Sequence, residues 1–230
     1  MDNIYRTKSF LRDLLQDMVV MDKDNNNAFY NKYKQSIKSK FVIMLYTMLE
    51  SVVMQSLQDI FDHIKQSNIK FYDLTDNMKK IYFKAKIKNK ERHFNTIISD
   101  SLIEVIKHLN KSAVEINLKN NFNNENPFNA GSLDYKNIKE KILKVLGLQD
   151  SIDDSIDKFS KRFKINIKEE IQNNAQVRNK LAHGEASFQD FGKSITIYDL
   201  QKRYASIVIY LYKYLKSIEM YINTQGYKNV

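Results

Sequence analysis

The sequence predicts an all-α fold, and three observations lead there. Punctuation is scarce: 230 residues hold 5 Gly and 1 Pro, whereas sandwiches and barrels need glycine, proline and Asn-Gly turns at short intervals. Apolar residues recur three and four apart along most of the chain, the spacing of a helix face. Capping residues open several of those stretches, and glycine closes two of them.

The elements follow in order. Ile4, Phe10, Leu11, Leu14, Leu15 and Met18 set a first helix over 3–21, ended by a polar break at 22–27. A long helix is expected over 28–66, with a wide apolar stripe that includes Phe41, Leu45, Leu49, Val53, Leu57 and Ile64 and so belongs at the centre of the core. Thr75 caps a lysine-rich helix over 75–90, and another helix covers 94–110. Val114, Ile116 and Leu118 alternate with polar residues, which fits either a short strand or a fraying helix end. Residues 120–131 (NNFNNENPFNAG) are the clearest loop, so the bundle carries an irregular insertion around 112–133. Helices are then expected over 134–146, closed by Gly147, after the Ser151–Asp154 capping box, and over 167–183, closed by Gly184. Thr196 and Asp199 have capping-box spacing ahead of a last helix that runs to about 222. Its apolar side is Leu200, Tyr204, Ile207, Val208, Leu211, Leu215 and Ile218.

Neither half of the chain holds a complete core pattern, so residues 1–230 are expected to form a single domain. A chain of this length buries roughly 70% of the surface it exposes when unfolded, enough for a core without staples. Composition is ordinary for a soluble protein, with 43% hydrophobic and 28% charged residues. There is no cysteine, which excludes disulfides, thiolate zinc sites and thiol nucleophiles and agrees with a cytoplasmic setting. The N-terminus lacks the pattern of a signal peptide, and the most apolar run, 41–49, is too short to span a bilayer. Net charge is +10 and the pI about 9.4. Such a balance favours a polyanionic partner, although an Asn-, Ile- and Lys-rich composition can raise charge with no functional cause.

Chemistry concentrates around residue 178. Ile167, Ile171, Ala175, Arg178 and Ala182 advance by four, four, three and four, so one inward face carries a guanidinium. On the long second helix Ile43, Tyr46, Glu50, Val53 and Leu57 form the matching oddity, an acid on an apolar line. A buried charge without a partner is costly, so Glu50 is expected to pair with Arg178 and orient it. His183 lies five residues on, about 140° around the helix, on the face of Asn179 and in the final turn. Arg, Asn and His at one helix end suit phosphodiester cleavage. Imidazole moves a proton, guanidinium steadies charge on phosphorane oxygens, and the amide orients either group.

The string RNKLAHGE, 178–185, resembles the motif of the HEPN superfamily, an Arg followed by a polar residue and then a His four to six residues after the Arg. It is most similar to the stand-alone prokaryotic, MAE-like branch. LYTMLES with Glu50 resembles that branch's second helix, and residues 129–148 resemble the segment before its motif helix. The resemblance implies an up-and-down helical bundle that dimerises across a shared cleft. It implies a metal-independent endoribonuclease, without cofactor, that leaves a 2′,3′-cyclic phosphate and a 5′-hydroxyl. Arg178 and His183 would be catalytic, with Asn179 and Glu50 supporting them. The expected partners are RNA, a second copy of the chain and an antitoxin or other regulatory protein, in toxin–antitoxin, antiviral-defence or stress systems, with no membrane.

Lys180 beside the motif, and Lys84 and Lys88 in the lysine group of the third helix, are candidate RNA contacts; a solvated face is the plainer reading of that group. His63, His93 and His108 read as structural or surface residues, since no second metal ligand accompanies any of them. Tyr204, Tyr210, Tyr212 and Tyr214 read as core or dimer interface before base-stacking. The alternative to a nuclease is a non-catalytic helical module that binds RNA, a nucleotide or a protein.

Overall fold

A computed structural model of the chain describes residues 2–23, 28–87, 128, 132–149, 160–161 and 164–229; at 2–5, 21–23, 28–30 and 83–87 only the backbone is described. The elements are α1 (Asp2–Lys23), α2 (Ala28–Gln66), a 3-10 turn (Phe71–Asp73), α3 (Asp76–Ile87), α4 (Tyr135–Asn137), a π-helical turn (Ile138–Leu143), α5 (Lys144–Leu146), α6 (Ile167–Ala182), α7 (Phe188–Ser194) and α8 (Ile197–Asn223). Among the described residues the only β pairing is an isolated antiparallel bridge, Leu74 to Lys228. The all-α prediction therefore stands. The expected helix over 94–110, the Ser151–Asp154 capping box and nearly all of the 112–133 insertion lie outside the described residues.

The chain falls into two compact units. One comprises 1–53, 132–136 and 151–213, the other 54–131, 137–150 and 214–230. In the first, Leu11, Leu15 and Met18 of α1, Phe41, Leu45 and Leu49 of α2, Ile167 and Ile171 of α6, and Leu200 and Ile207 of α8 are buried. In the second, Leu57, Ile60 and Phe61 of α2 are buried, as are Met78, Ile142, Leu146 and Ile218. There the chain end is tied down. Thr75 N–H donates to the Tyr227 carbonyl at 2.9 Å and Asn229 N–H to the Asp73 carbonyl at 2.8 Å.

Sequence and structure differ informatively at three helices. On α8, Leu200, Ile207, Leu211 and Ile218 are buried as expected, while Tyr204, Val208 and Leu215 are only half-buried. Tyr210 and Tyr214 are fully buried instead. A buried phenol needs a partner, and the Ser56 hydroxyl supplies one to Tyr214 at 3.0 Å. The helix expected over 134–146 contains a π-turn, which no apolar period signals. α7 is too short for periodicity to reveal, though Ser187 and Asp190 cap it reciprocally in spacing: Asp190 N–H donates to Ser187 Oγ at 3.0 Å.

α7 also sits against α2 with no room to spare. A Cβ at Gly192 would lie 2.0 Å from the Gln35 carbonyl oxygen. Lys38 of α2 donates to the Ile195 carbonyl at 2.8 Å, just beyond the end of α7. Among the described residues one helix, over Asn31–Gln66, is long and apolar enough by length and composition to cross a membrane, and 61% of its apolar 18-residue window is buried within the protein. The longer helical window passes a test that the 41–49 run alone does not, and its burial marks it as a core helix.

The start of α8 gives a test. Asp199 N–H donates to Thr196 Oγ1 at 3.1 Å, and the Thr196 hydroxyl donates to the Asp199 carboxylate at 2.6 Å. That hydroxyl, and then Lys202, hold the Asp199 carboxyl below its ordinary range. The ionised form therefore stabilises the fold at neutral pH, and its contribution fades as pH falls through the lowered value. Thr196→Ala should cost about 1 kcal/mol of unfolding free energy at pH 7. In urea titrations the gap to wild type should narrow below about pH 4.

Candidate functional site

The motif residues all belong to the first unit. α6 begins cleanly: the Asn166 side chain accepts the Glu169 N–H, and Glu169 and Glu170 occupy the positive first turn. It ends just as firmly. Gly184, at φ +73°, follows His183. The Glu185 N–H closes on the Lys180 carbonyl at 2.9 Å, and the Gly184 N–H on Leu181 at 3.4 Å. This left-handed closure lets glycine turn the chain away one residue after the histidine. His183 is thus the C-cap, its N–H donating to the Asn179 carbonyl at 2.9 Å. Its side chain is exposed and makes no hydrogen bond or ion pair with the described residues.

The inward line predicted for α6 is present. Ile167, Ile171 and Ala175 are buried, Arg178 is half-buried, and the line ends at Ala182, exposed in the last turn. Asn174 is also fully buried on this face.

The guanidinium is not held by Glu50. Among the described residues no ion pair joins them, and Glu50 is half-buried on α2. What lies against Arg178 is one turn earlier on the same α2 face: the Tyr46 ring, with its centroid 4.6 Å from Cζ. An aromatic face attracts a cation without requiring a second charge to leave water, so the ring serves where a carboxylate would be costly. Tyr46 is itself fixed. It is 1% exposed, and its hydroxyl accepts the Leu133 N–H at 2.9 Å. On the other side Arg178 Nη1 donates to Asn179 Oδ1 at 3.0 Å. Arg178, Asn179 and His183 therefore gather at one end of α6, with Tyr46 as a fourth member.

Tyr46 was legible as the aromatic at helical spacing before Glu50, although nothing in the sequence chose it over the acid. An acid–base pair does exist in this core, between residues the sequence did not single out. Arg203 Nε of α8 meets Glu170 of α6 at 3.2 Å, with the side chains 9% and 18% exposed. Gln172 donates to Asp134 at 3.2 Å, so the 132–134 segment is tied to both α2 and α6. Lys180 is exposed. The Lys84 side chain and all of Lys88 lie outside the described residues, as do His93 and His108. His63 packs edge-on to Tyr227 in the second unit, as its structural reading expects. Among the described residues no cluster of three His, Cys, Asp or Glu could hold a metal ion. At the opposite end of α6 a cleft of about 410 Å³ is lined by Lys161, Lys164 and Lys168 with Ser160, Ile165, Asn166 and Ile167. Lys161, Lys164 and Lys168 stand three and four apart, but the turn at Lys164 (φ +52°) comes before α6 begins at Ile167, so they do not lie on one helix face.

A family model described as MAE_28990-like HEPN matches residues 4–227. No curated protein and no solved structure matches the chain.

Two substitutions separate the roles of Tyr46. Tyr46→Phe keeps the ring under Arg178 but strands the buried Leu133 N–H, and should cost about 1–3 kcal/mol in urea unfolding. Tyr46→Leu removes the ring as well and should cost roughly 1 kcal/mol more.

Proposed function

The chain belongs to this MAE_28990-like HEPN family, and on that premise we propose that it is a metal-independent endoribonuclease with Arg178 and His183 as its catalytic residues. Family membership supports an RNA-related role. The observation that carries the finer reading is the end of α6. There a guanidinium seated on the Tyr46 ring and keyed by Asn179 shares the last turns of the helix with an exposed imidazole.

The chemistry is phosphoryl transfer within the RNA. The ribose 2′-oxygen forms a bond to phosphorus while the bond from phosphorus to the 5′-oxygen breaks. The products are a 2′,3′-cyclic phosphate and a 5′-hydroxyl. His183 exchanges a proton with the 2′-hydroxyl or the leaving oxygen, because an exposed imidazole can both take and give one. Arg178, half-buried and still carrying unused N–H donors, stabilises the charge that builds on the phosphorane oxygens. Asn179 holds the guanidinium plane. Lys161, Lys164 and Lys168 at the far end of α6, about 22 Å along the helix, add positive field for the backbone of a longer RNA.

A homodimer fits this reading, because one His183 per site leaves room for a second motif across a shared groove. Tyr198 and Tyr212 are 64% and 67% exposed. With the half-buried Ala205 and Ile209 they share one face of α8 within the first unit, crossed by Lys202, whose ammonium lies 5.0 Å from the Tyr198 ring centroid; a second copy would cover this mixed face. The setting we assign is an RNA-cleaving toxin or defence effector in the cytoplasm, restrained by an antitoxin-like protein.

Purified protein incubated with mixed RNA in EDTA should yield cyclic-phosphate ends. His183→Ala should slow cleavage about a hundredfold to ten-thousandfold, and Arg178→Ala about a hundredfold or more. No cleavage of tRNA, mRNA or rRNA by the wild type overturns the enzyme and leaves a binding module. Tyr212→Glu should shift the protein to monomer in light scattering and depress cleavage with it.

A further inference from the structure

Asn174 is fully buried on the inward face of α6, and neither its amide nitrogen nor its carbonyl oxygen has a hydrogen-bond partner among the described residues. Such an orphan is expensive, and asparagine is also a poor residue for a helix interior. Leucine would serve the packing better. The place is not arbitrary. Asn174 lies one turn before Arg178, and long side chains on a helix lean toward its N-terminus, over the residue four positions back. In the common helical rotamers that lean brings an arginine stem at 178 over position 174. Its guanidinium, however, is bonded to Asn179 on the side that leads to His183.

Arginine carries five N–H donors, and two amide oxygens are within the sequence spacing it can serve. One, Asn179 Oδ1, is taken at the half-buried rim; the other, Asn174 Oδ1, is buried and empty. We propose that Asn174 is a positioning residue that gives Arg178 a second, inward seat. In that seat the guanidinium donates to Asn174 Oδ1 and is withdrawn from the helix end. In the outward seat, on Tyr46 and Asn179, it meets a phosphate. An RNA phosphate binds the outward state and so draws the arginine out, at an apparent affinity reduced by the fraction that rests inward. This inference rests on the nuclease reading for the identity of the anion, and on the α6 geometry alone for the two seats.

The test compares wild type with Asn174→Leu and Asn174→Asp. Leucine abolishes the inward seat and the orphan together, whereas a carboxylate there captures the guanidinium more strongly. With a 2′-O-methyl RNA oligonucleotide, which cannot be cleaved, Asn174→Leu should bind tighter by up to about twofold, since the outward seat is the one occupied without RNA, and Asn174→Asp about tenfold weaker. The melting temperature of the leucine variant should rise. The Arg178 Nε–H signal in spectra of ¹⁵N-arginine-labelled protein, identified by its loss in Arg178→Lys, should move in opposite directions in the two variants.

A merely structural asparagine predicts a higher melting temperature for the leucine variant with unchanged affinity and an unmoved Arg178 signal; that result overturns the proposal. Weaker binding by the leucine variant overturns it too. If the wild type binds and cleaves no RNA, the nuclease reading fails by itself. The seats are still decided by the Arg178 signal, whose displacement in Asn174→Leu supports them and whose constancy removes them.

Discussion

The site depends on a guanidinium lying against an aromatic ring at the edge of a helical core. A cation on the inward face of α6 has to be compensated by something, and the choices differ in cost. A carboxylate attracts it strongly, but both ions must then shed water. A ring offers its negative face and no charge to desolvate. Tyr46 can play this part because its hydroxyl is already occupied by the Leu133 backbone and its edge is locked in the core. Arg178 is thereby held without being neutralised, which preserves its charge for a phosphate.

Charge pairing has been moved to where it does not compete. Glu170 and Arg203 join α6 to α8 two turns before the motif, and Gln172 with Asp134 ties α6 to the 132–134 segment. These contacts fix the axis of α6 from its first half. The second half is then free to end in a functional turn, where the glycine closure after His183 sets the backbone and leaves the imidazole exposed.

Most of the fold was legible in the sequence because it is local. The bounds of α2, the Thr196–Asp199 cap and the two glycine closures follow from spacing and from residues whose conformational preferences are strong. The inward line of α6 follows from the same period. Partner choice was not legible. Glu50 and Tyr46 share a face of α2, and only the third dimension decides which of them lies against Arg178. The Glu170–Arg203 pair spans 33 positions and leaves no trace in either helix's periodicity. The π-turn and the seven-residue α7 fall below the length at which periodicity speaks. Asn174 stands beside Ala175 on the inward side of α6 and the sequence pattern did not mark it, because its lack of a partner among the described residues is a property of the packed state alone.

The contact between α7 and α2 carries a different lesson. Even a methyl group at position 192 would run into the main chain of its neighbour rather than into a side chain that can turn aside. In a saturation library this position would tolerate almost nothing, and would look as indispensable as the motif itself. Its intolerance would measure the gap between two helices, not any part in chemistry, so mutational sensitivity in this protein maps tightness of fit as readily as it maps function.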